Sequence, residues 1–220
     1  MPQVVAGGPG RARQDQRPPA GPGPRVQPRH ARPPMLVADP AGRRPARAPR
    51  PAVPQIVIAG AHGGAGASTL AELLRLAFGG APPGRRPQVG EMPPVPDADP
   101  ARIAAAGWLP VPPPGTALIL TARGTAHGAR RAVIAVTALE LRGIRPVAVA
   151  VIADGAGPEP RQAAQRFDLI GGRAGPLIRV PFAAALRAGA SPAGAHLPGR
   201  LLTAVNSLAA LAAAGPGRHA

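Results

Sequence analysis

The chain of 220 residues contains no cysteine, no tyrosine and no lysine. Each absence excludes something. Without Cys there is no disulfide, no thiolate nucleophile and no Cys-based metal site. One Trp, three Phe and no Tyr leave no aromatic platform on which single-stranded nucleic acid would stack. All 26 basic residues are Arg, so no lysine ammonium is available to any phosphate site. No apolar run reaches the roughly 18 residues of a membrane-spanning helix. The N-terminus carries Arg and Pro without the apolar stretch of a secretory signal. These absences make the cytoplasm the expected location.

Proline (33) and glycine (29) are abundant instead. Arg, Pro, Gly and Ala stand where AT-rich codons would give other residues, the mark of a high-GC bacterial genome. Part of the Arg and Pro excess is therefore codon drift. The net charge of +16 divides evenly. Residues 1–54 hold ten Arg against Asp15 and Asp39, and the longer remainder holds sixteen Arg against eight acids.

Residues 1–52, with "RARQDQRPPAGPGPRVQPRHARPP" and "AGRRPARAPRPAVP", repeat at no helix or strand period. Frequent Pro blocks helices, and too little apolar surface is present to offset ordering. A disordered tail is expected, within which Met35 is a possible alternative start. Its basic charge suits weak, non-specific nucleic-acid binding through counterion release, and equally suits codon drift alone.

An ordered domain is expected over 53–214, with a disordered C-terminus over 215–220. "QIVIAG" reads as a buried parallel strand. "STLAELLRLAF" reads as a helix with Leu70, Leu73, Leu74 and Ala77 on one face. Residues 79–114 form an irregular insertion in which only "DPARIAAAGW" suits a helix, capped by Asp99 with Pro100 at its first position. "TALILTA", "RPVAVAVIAD" and "GPLIRVPF" read as strands. "TAHGARRAVIAVTALELRG", "EPRQAAQRFDLI", "AAALRAG" and "GRLLTAVNSLAALAAAG" read as helices, the last packing onto the domain rather than onto a membrane. Apolar strands alternating with helices predict an α/β fold: three layers, a parallel sheet with helices on both faces. Ligands of such sheets bind outside the carboxyl ends of the strands, here Gly60–Thr69, Thr121–Thr125, Asp154 and Pro181–Phe182.

Between the first strand and helix lies "AHGGAGAST", Ala61–Thr69. Glycines let consecutive N–H groups form an anion nest, and the helix behind adds its positive end. Gly63, Gly64 and Gly66 supply the nest, and Ser68 is placed for Mg²⁺. A tight strand-to-helix turn is the plainer alternative. Ser68 and Thr69 could equally cap the helix, Thr69-x-x-Glu72 being a capping-box pattern. His62 reads as an exposed turn residue or, when protonated, a cation at a phosphate. Arg123 is a substitute phosphate clamp or one solvated Arg among many. Thr125 and His127 are weaker candidates of the same kind. Asp154 contacts a base or water, or caps the loop "DGAGPEP". A Rossmann dinucleotide site fails, because Gly64-x-Gly66 is followed by Thr69 where the third glycine belongs.

The loop resembles the deviant P-loop of the ParA/MinD family of ATPases, whose pattern is xKGGxGK[ST]T. Gly63, Gly64, Gly66, Ser68 and Thr69 match, with Ala65 at the variable position. His62 replaces the signature lysine and Ala67 the general P-loop lysine. "ALILTARGTAHGARRAVIAVTALELRGIRPVAVAVIAD" resembles the family's strand–helix–strand after Walker B, with Asp154 at the base-reading position. "GPLIRVPFAAALRAGASP" resembles its late segment. The Walker B strand and switch should fall within 79–114, where no apolar strand ending in Asp is found. "GAHGGAG" is also similar to the loop of an uncharacterised family from high-GC bacteria. The resemblance implies a P-loop NTPase-like fold and a site for ATP or ADP with Mg²⁺ held by Ser68. It implies little or no catalysis, since both lysines are gone, and a regulatory or scaffolding role with a protein partner or a second copy. DNA partition, conjugation or secretion follow by fold analogy only. A weak Mg²⁺-dependent ATPase is the enzymatic alternative.

Overall fold

The computed structural model describes residues 55–108, 112–113 and 115–215. The tail expected over 1–52, and residues 216–220 of the expected C-terminal segment, lie outside the described residues.

Five strands and six helices alternate. They are β1 (Gln55–Gly60), α1 (Ala67–Ala77), β2 (Gln88–Met92), α2 (Pro100–Ala105), β3 (Ala117–Arg123), α3 (Ala126–Glu140), β4 (Ala148–Ile152), α4 (Arg161–Asp168), β5 (Leu177–Val180), α5 (Ala184–Arg187) and α6 (Gly199–Ala214). The sheet is parallel throughout, in the order β2-β1-β3-β4-β5. Side chains alternate between faces along a strand, so β3 feeds two cores. Leu118, Leu120 and Ala122 meet Ile103 of α2, Val136 and Leu139 of α3 and Phe167 of α4. Ala117 and Ile119 meet Leu70, Leu73 and Leu74 of α1 and Leu201, Val205 and Leu208 of α6. The three-layer α/β expectation is met, and α6 packs onto the sheet.

Local signals explain several ends. Asp99 accepts the Arg102 N–H at 3.0 Å, and Pro100 opens α2 where no N–H bond is lost. Thr125 caps α3 by accepting the Gly128 N–H at 3.0 Å. The chain leaves α3 through Gly143 at φ +67°, with Ile144 N–H donating to the Leu139 carbonyl and Gly143 N–H to that of Glu140. That is a Schellman turn, and Ile144 and Leu139 share the core beneath it.

Three expectations are corrected. Residues 79–114 hold a strand as well as α2. Strand β2 pairs in parallel with β1 from Gln55↔Gln88 to Ala59↔Met92. Its sequence QVGEM is polar and only partly buried because it lies at the sheet's edge, so it lacks the apolar run of a central strand. The capping box does not form, because α1 begins at Ala67 with Gly66 as N-cap; Thr69 already lies inside the helix. On α1, Ala71 is buried with Leu70, Leu73 and Leu74, and Ala77 is exposed.

Candidate functional site

With this strand order, connections leave β1 and β3 toward opposite faces, which opens a crevice above their carboxyl ends. The loop Ala61–Gly66 lies in that crevice. Ala61 N–H donates to the Thr121 carbonyl at 2.8 Å and fixes the loop's start to β3. Gly64 (φ +72°) and Gly66 (φ +89°) are left-handed, a conformation costly for any other residue. Gly63 needs no such freedom, and a side chain there would meet nothing within 4 Å. A tight turn alone therefore accounts for two of the three glycines.

The loop's carbonyls and N–H groups differ in their partners. The Gly63 carbonyl is bonded to His62 Nδ1 at 2.7 Å. The Gly64 carbonyl accepts Arg123 Nε–H at 2.9 Å. The N–H groups of Gly63, Gly64, Gly66, Ala67, Ser68 and Thr69 find no acceptor among the described residues. Those residues line one cleft of about 320 Å³ together with His62, Ala65 and Arg123. Residues with free N–H groups line the cleft, and two side chains hold the carbonyls of Gly63 and Gly64.

His62 lies in the bend after β1 and is half-buried. Its Nδ1–H is committed to Gly63, so Nε2 is the acceptor of a long bond, 3.5 Å, from the Arg123 N–H. Its ring meets His127 edge to face, centroids 5.4 Å apart. Burial lowers its pKa below the ordinary histidine value, and the nearby His127, Arg131 and Arg123 push the same way against the Gly63 hydrogen bond. The imidazole is thus neutral at pH 7.

Arg123 ends β3 with its side chain largely buried. Besides Gly64 it meets Asp154, Nη1 to Oδ1 at 3.4 Å. It is therefore bonded within the protein rather than one solvated Arg among many. It is a strut, with remaining guanidinium donors beside the cleft. Ser68 and Thr69 are exposed at the second and third positions of α1, their hydroxyls without a partner among the described residues.

Asp154 is absent from the lining of the loop cleft. It lines a second cleft, of about 380 Å³, with Thr125, Glu159 and Pro181. A third, of about 230 Å³, lies between them: it shares Gly66, Thr69 and Arg123 with the loop cleft, and Ala153, Val180 and Pro181 with the second.

Sequence reasoning missed Glu91. It lies on β2 opposite Ile58 of β1 and lines the loop cleft, with Oε1 3.4 Å from Arg75 Nη2. The available signal was topological: two successive helices in a parallel sheet need a strand between them. Arg131 was missed too. It is 2% exposed and anchors the segment after β2, with Nη1 on Asp97 at 2.5 Å and Nη2 on the Val95 carbonyl at 3.1 Å and on the Pro96 carbonyl. No protein-family model matches this chain, and no curated protein matches it.

Proposed function

We propose that the Ala61–Thr69 loop binds the phosphates of a nucleotide, and that the chain is a degenerate ParA/MinD-like P-loop protein. It would serve as a non-catalytic, nucleotide-responsive component of a larger assembly. The observation that supports this is the set of six free N–H groups lining one cleft while Gly63 and Gly64 turn their carbonyls to His62 and Arg123. The first N–H groups of a helix have no intrahelical partners, and such donors at a helix start suit an anion.

The residues fit Mg²⁺ in the usual sparing manner, one or two protein oxygens plus phosphates and waters. Ser68 Oγ and the Glu91 carboxylate would be those oxygens. The cost of the lost lysine falls mainly on turnover. A charged hydrogen bond of about 1.5–3 kcal/mol corresponds to one or two decades of affinity. Losing a transition-state donor costs about 10²–10³ in rate, and Arg123, held by Gly64 and Asp154, is poorly free to replace it.

Calorimetric titration of the full chain with ATP and ADP, with and without Mg²⁺, tests the reading. Binding in the range of about ten to several hundred micromolar, with no turnover of the bound nucleotide, is expected. No binding at millimolar nucleotide would sink it. Hydrolysis abolished by Ser68→Ala would instead support the weak ATPase.

A further inference from the structure

We propose that the cavity lined by α1, the end of β5 and helices α5 and α6 binds a short aliphatic carboxylate, alkyl chain inward, with Arg187 holding the carboxylate at its mouth. Such a site stands or falls independently of nucleotide binding at the loop.

The cavity holds about 230 Å³, below the roughly 300–1,000 Å³ of drug-sized sites, so its occupant is small. Its lining is graded by burial. Leu70 and Leu73 of α1, Val180 of β5 and Leu201 of α6 are buried. Ile152, Phe182 and Leu186 are half-buried. The polar side chains of the lining are Thr69, Arg123 and Arg187, of which Thr69 and Arg187 are exposed. Polarity therefore stands at the mouth and hydrocarbon within. No acidic side chain lines the cavity, so the charge it presents to a ligand is positive.

Arg187 supplies that charge in a usable form. It has no hydrogen bond or ion pair among the described residues, whereas Arg123 is committed to Gly64 and Asp154. A free guanidinium over an apolar cavity matches a carboxylate head on an alkyl tail. The planar fork pairs with both carboxylate oxygens, and each methylene drawn out of water adds to affinity.

A ring with polar edges fits worse. A nucleobase would set its donors and acceptors against Leu70, Leu73 and Leu201, none of which can pair with them, and polar groups buried without partners oppose binding. A methylene chain asks nothing of those walls but contact.

The test titrates the full chain calorimetrically with butanoate, hexanoate, octanoate, decanoate and 1-octanol. Affinity should rise about fourfold per methylene and level off once the cavity is full. Octanoate should bind about 5–10-fold more tightly than 1-octanol. Arg187→Ala should remove that advantage and leave octanol binding as it was; the residue is exposed, so the core stays intact. In methyl NMR the resonances of Leu70, Leu73 and Leu201 should shift with the same saturation, while those of the exposed Leu141 and Leu169 stay put. No binding of any acid at millimolar concentration, affinity independent of chain length, or shifts confined to the exposed leucines would overturn the site. So would a purine nucleoside that binds there more tightly than any of the acids. Octanol binding as tightly as octanoate, or an octanoate advantage that survives Arg187→Ala, would overturn the assignment of the carboxylate to Arg187.

Discussion

Arg123 donates its Nε–H to the carbonyl of Gly64 at 2.9 Å, across 59 residues of sequence. The bond joins the end of β3 to the glycine loop after β1, the two elements that flank the crevice. It commits one loop carbonyl to an arginine that itself lines the loop cleft. An arginine that reads in sequence as a substitute phosphate clamp or as one solvated Arg among many is bonded to the loop itself.

Replacing that arginine separates shape from charge. Arg123→Ala should weaken nucleotide binding about 10–100-fold, the worth of a charge-assisted hydrogen bond. Arg123→Lys keeps the charge but loses the planar fork that spans Gly64 and Asp154, and should recover less than half of the lost binding free energy. Full recovery by lysine, measured by calorimetry, would show that the charge alone matters.

Ala67→Lys restores the absent ammonium. Ala67 is the first residue of α1 and only partly buried against the core, so the longer side chain has room to leave. A cation at a helix start costs about 0.3–1 kcal/mol without ligand. With phosphate bound, the gain of about 1.5–3 kcal/mol prevails. The expected outcome is a slightly lower Tm alone and a 10-fold or greater rise in nucleotide affinity. Unchanged affinity would mean that phosphates do not approach the start of α1.

How much of this was legible follows burial. Strands β3 and β4 are apolar at nearly every position because both faces are covered, and continuous runs such as ALILTA announce themselves. Strand β2 has one neighbour and needs no such run, so QVGEM passed as loop and took Glu91 with it. The glycine loop was legible as a motif, since Gly64 and Gly66 answer a backbone requirement that few residues meet. The direction of its carbonyls was not, because that depends on His62 and on Arg123, far away in sequence. Arg131 shows the same limit. One arginine among 26 carries no mark that it, alone among the described arginines, will be buried, against the segment after β2.

That burial makes an asymmetric prediction. Arg131→Met leaves the Val95 and Pro96 carbonyls without their donor, at about 1–3 kcal/mol for each buried acceptor left unmade. Partial access to water lowers the sum, and a loss of about 2–4 kcal/mol is expected. Asp97 is 87% exposed, so Asp97→Asn, which keeps an acceptor oxygen, should cost about 1 kcal/mol or less. Urea unfolding of both variants gives the comparison. A larger loss for Asp97→Asn would mean that the ion pair, rather than the carbonyl anchors, holds the segment.

His62 makes stability and binding respond to pH in opposite senses. Burial holds its folded-state pKa below the ordinary value of about 6.5. Above pH 6.5 the imidazole is neutral in both folded and unfolded chains, and its contribution is complete. As pH falls below 6.5 the unfolded chain takes up the proton first, so stability drops until the folded pKa is reached. Tm should therefore decline on acidification from pH 7, and His62→Gln, whose amide keeps a donor and an acceptor, should decline less. Phosphate in the cleft would reverse the electrostatics. Anionic oxygens would offset the positive charge of Arg123 and Arg131 beside His62 and favour its protonated form in the complex. Nucleotide binding near pH 6.5 should then carry proton uptake, read as a dependence of the calorimetric enthalpy on the buffer's ionisation enthalpy, and His62→Gln should abolish it. Uptake that persists in His62→Gln would place the titrating group elsewhere and leave His62 as a neutral prop for the Gly63 carbonyl.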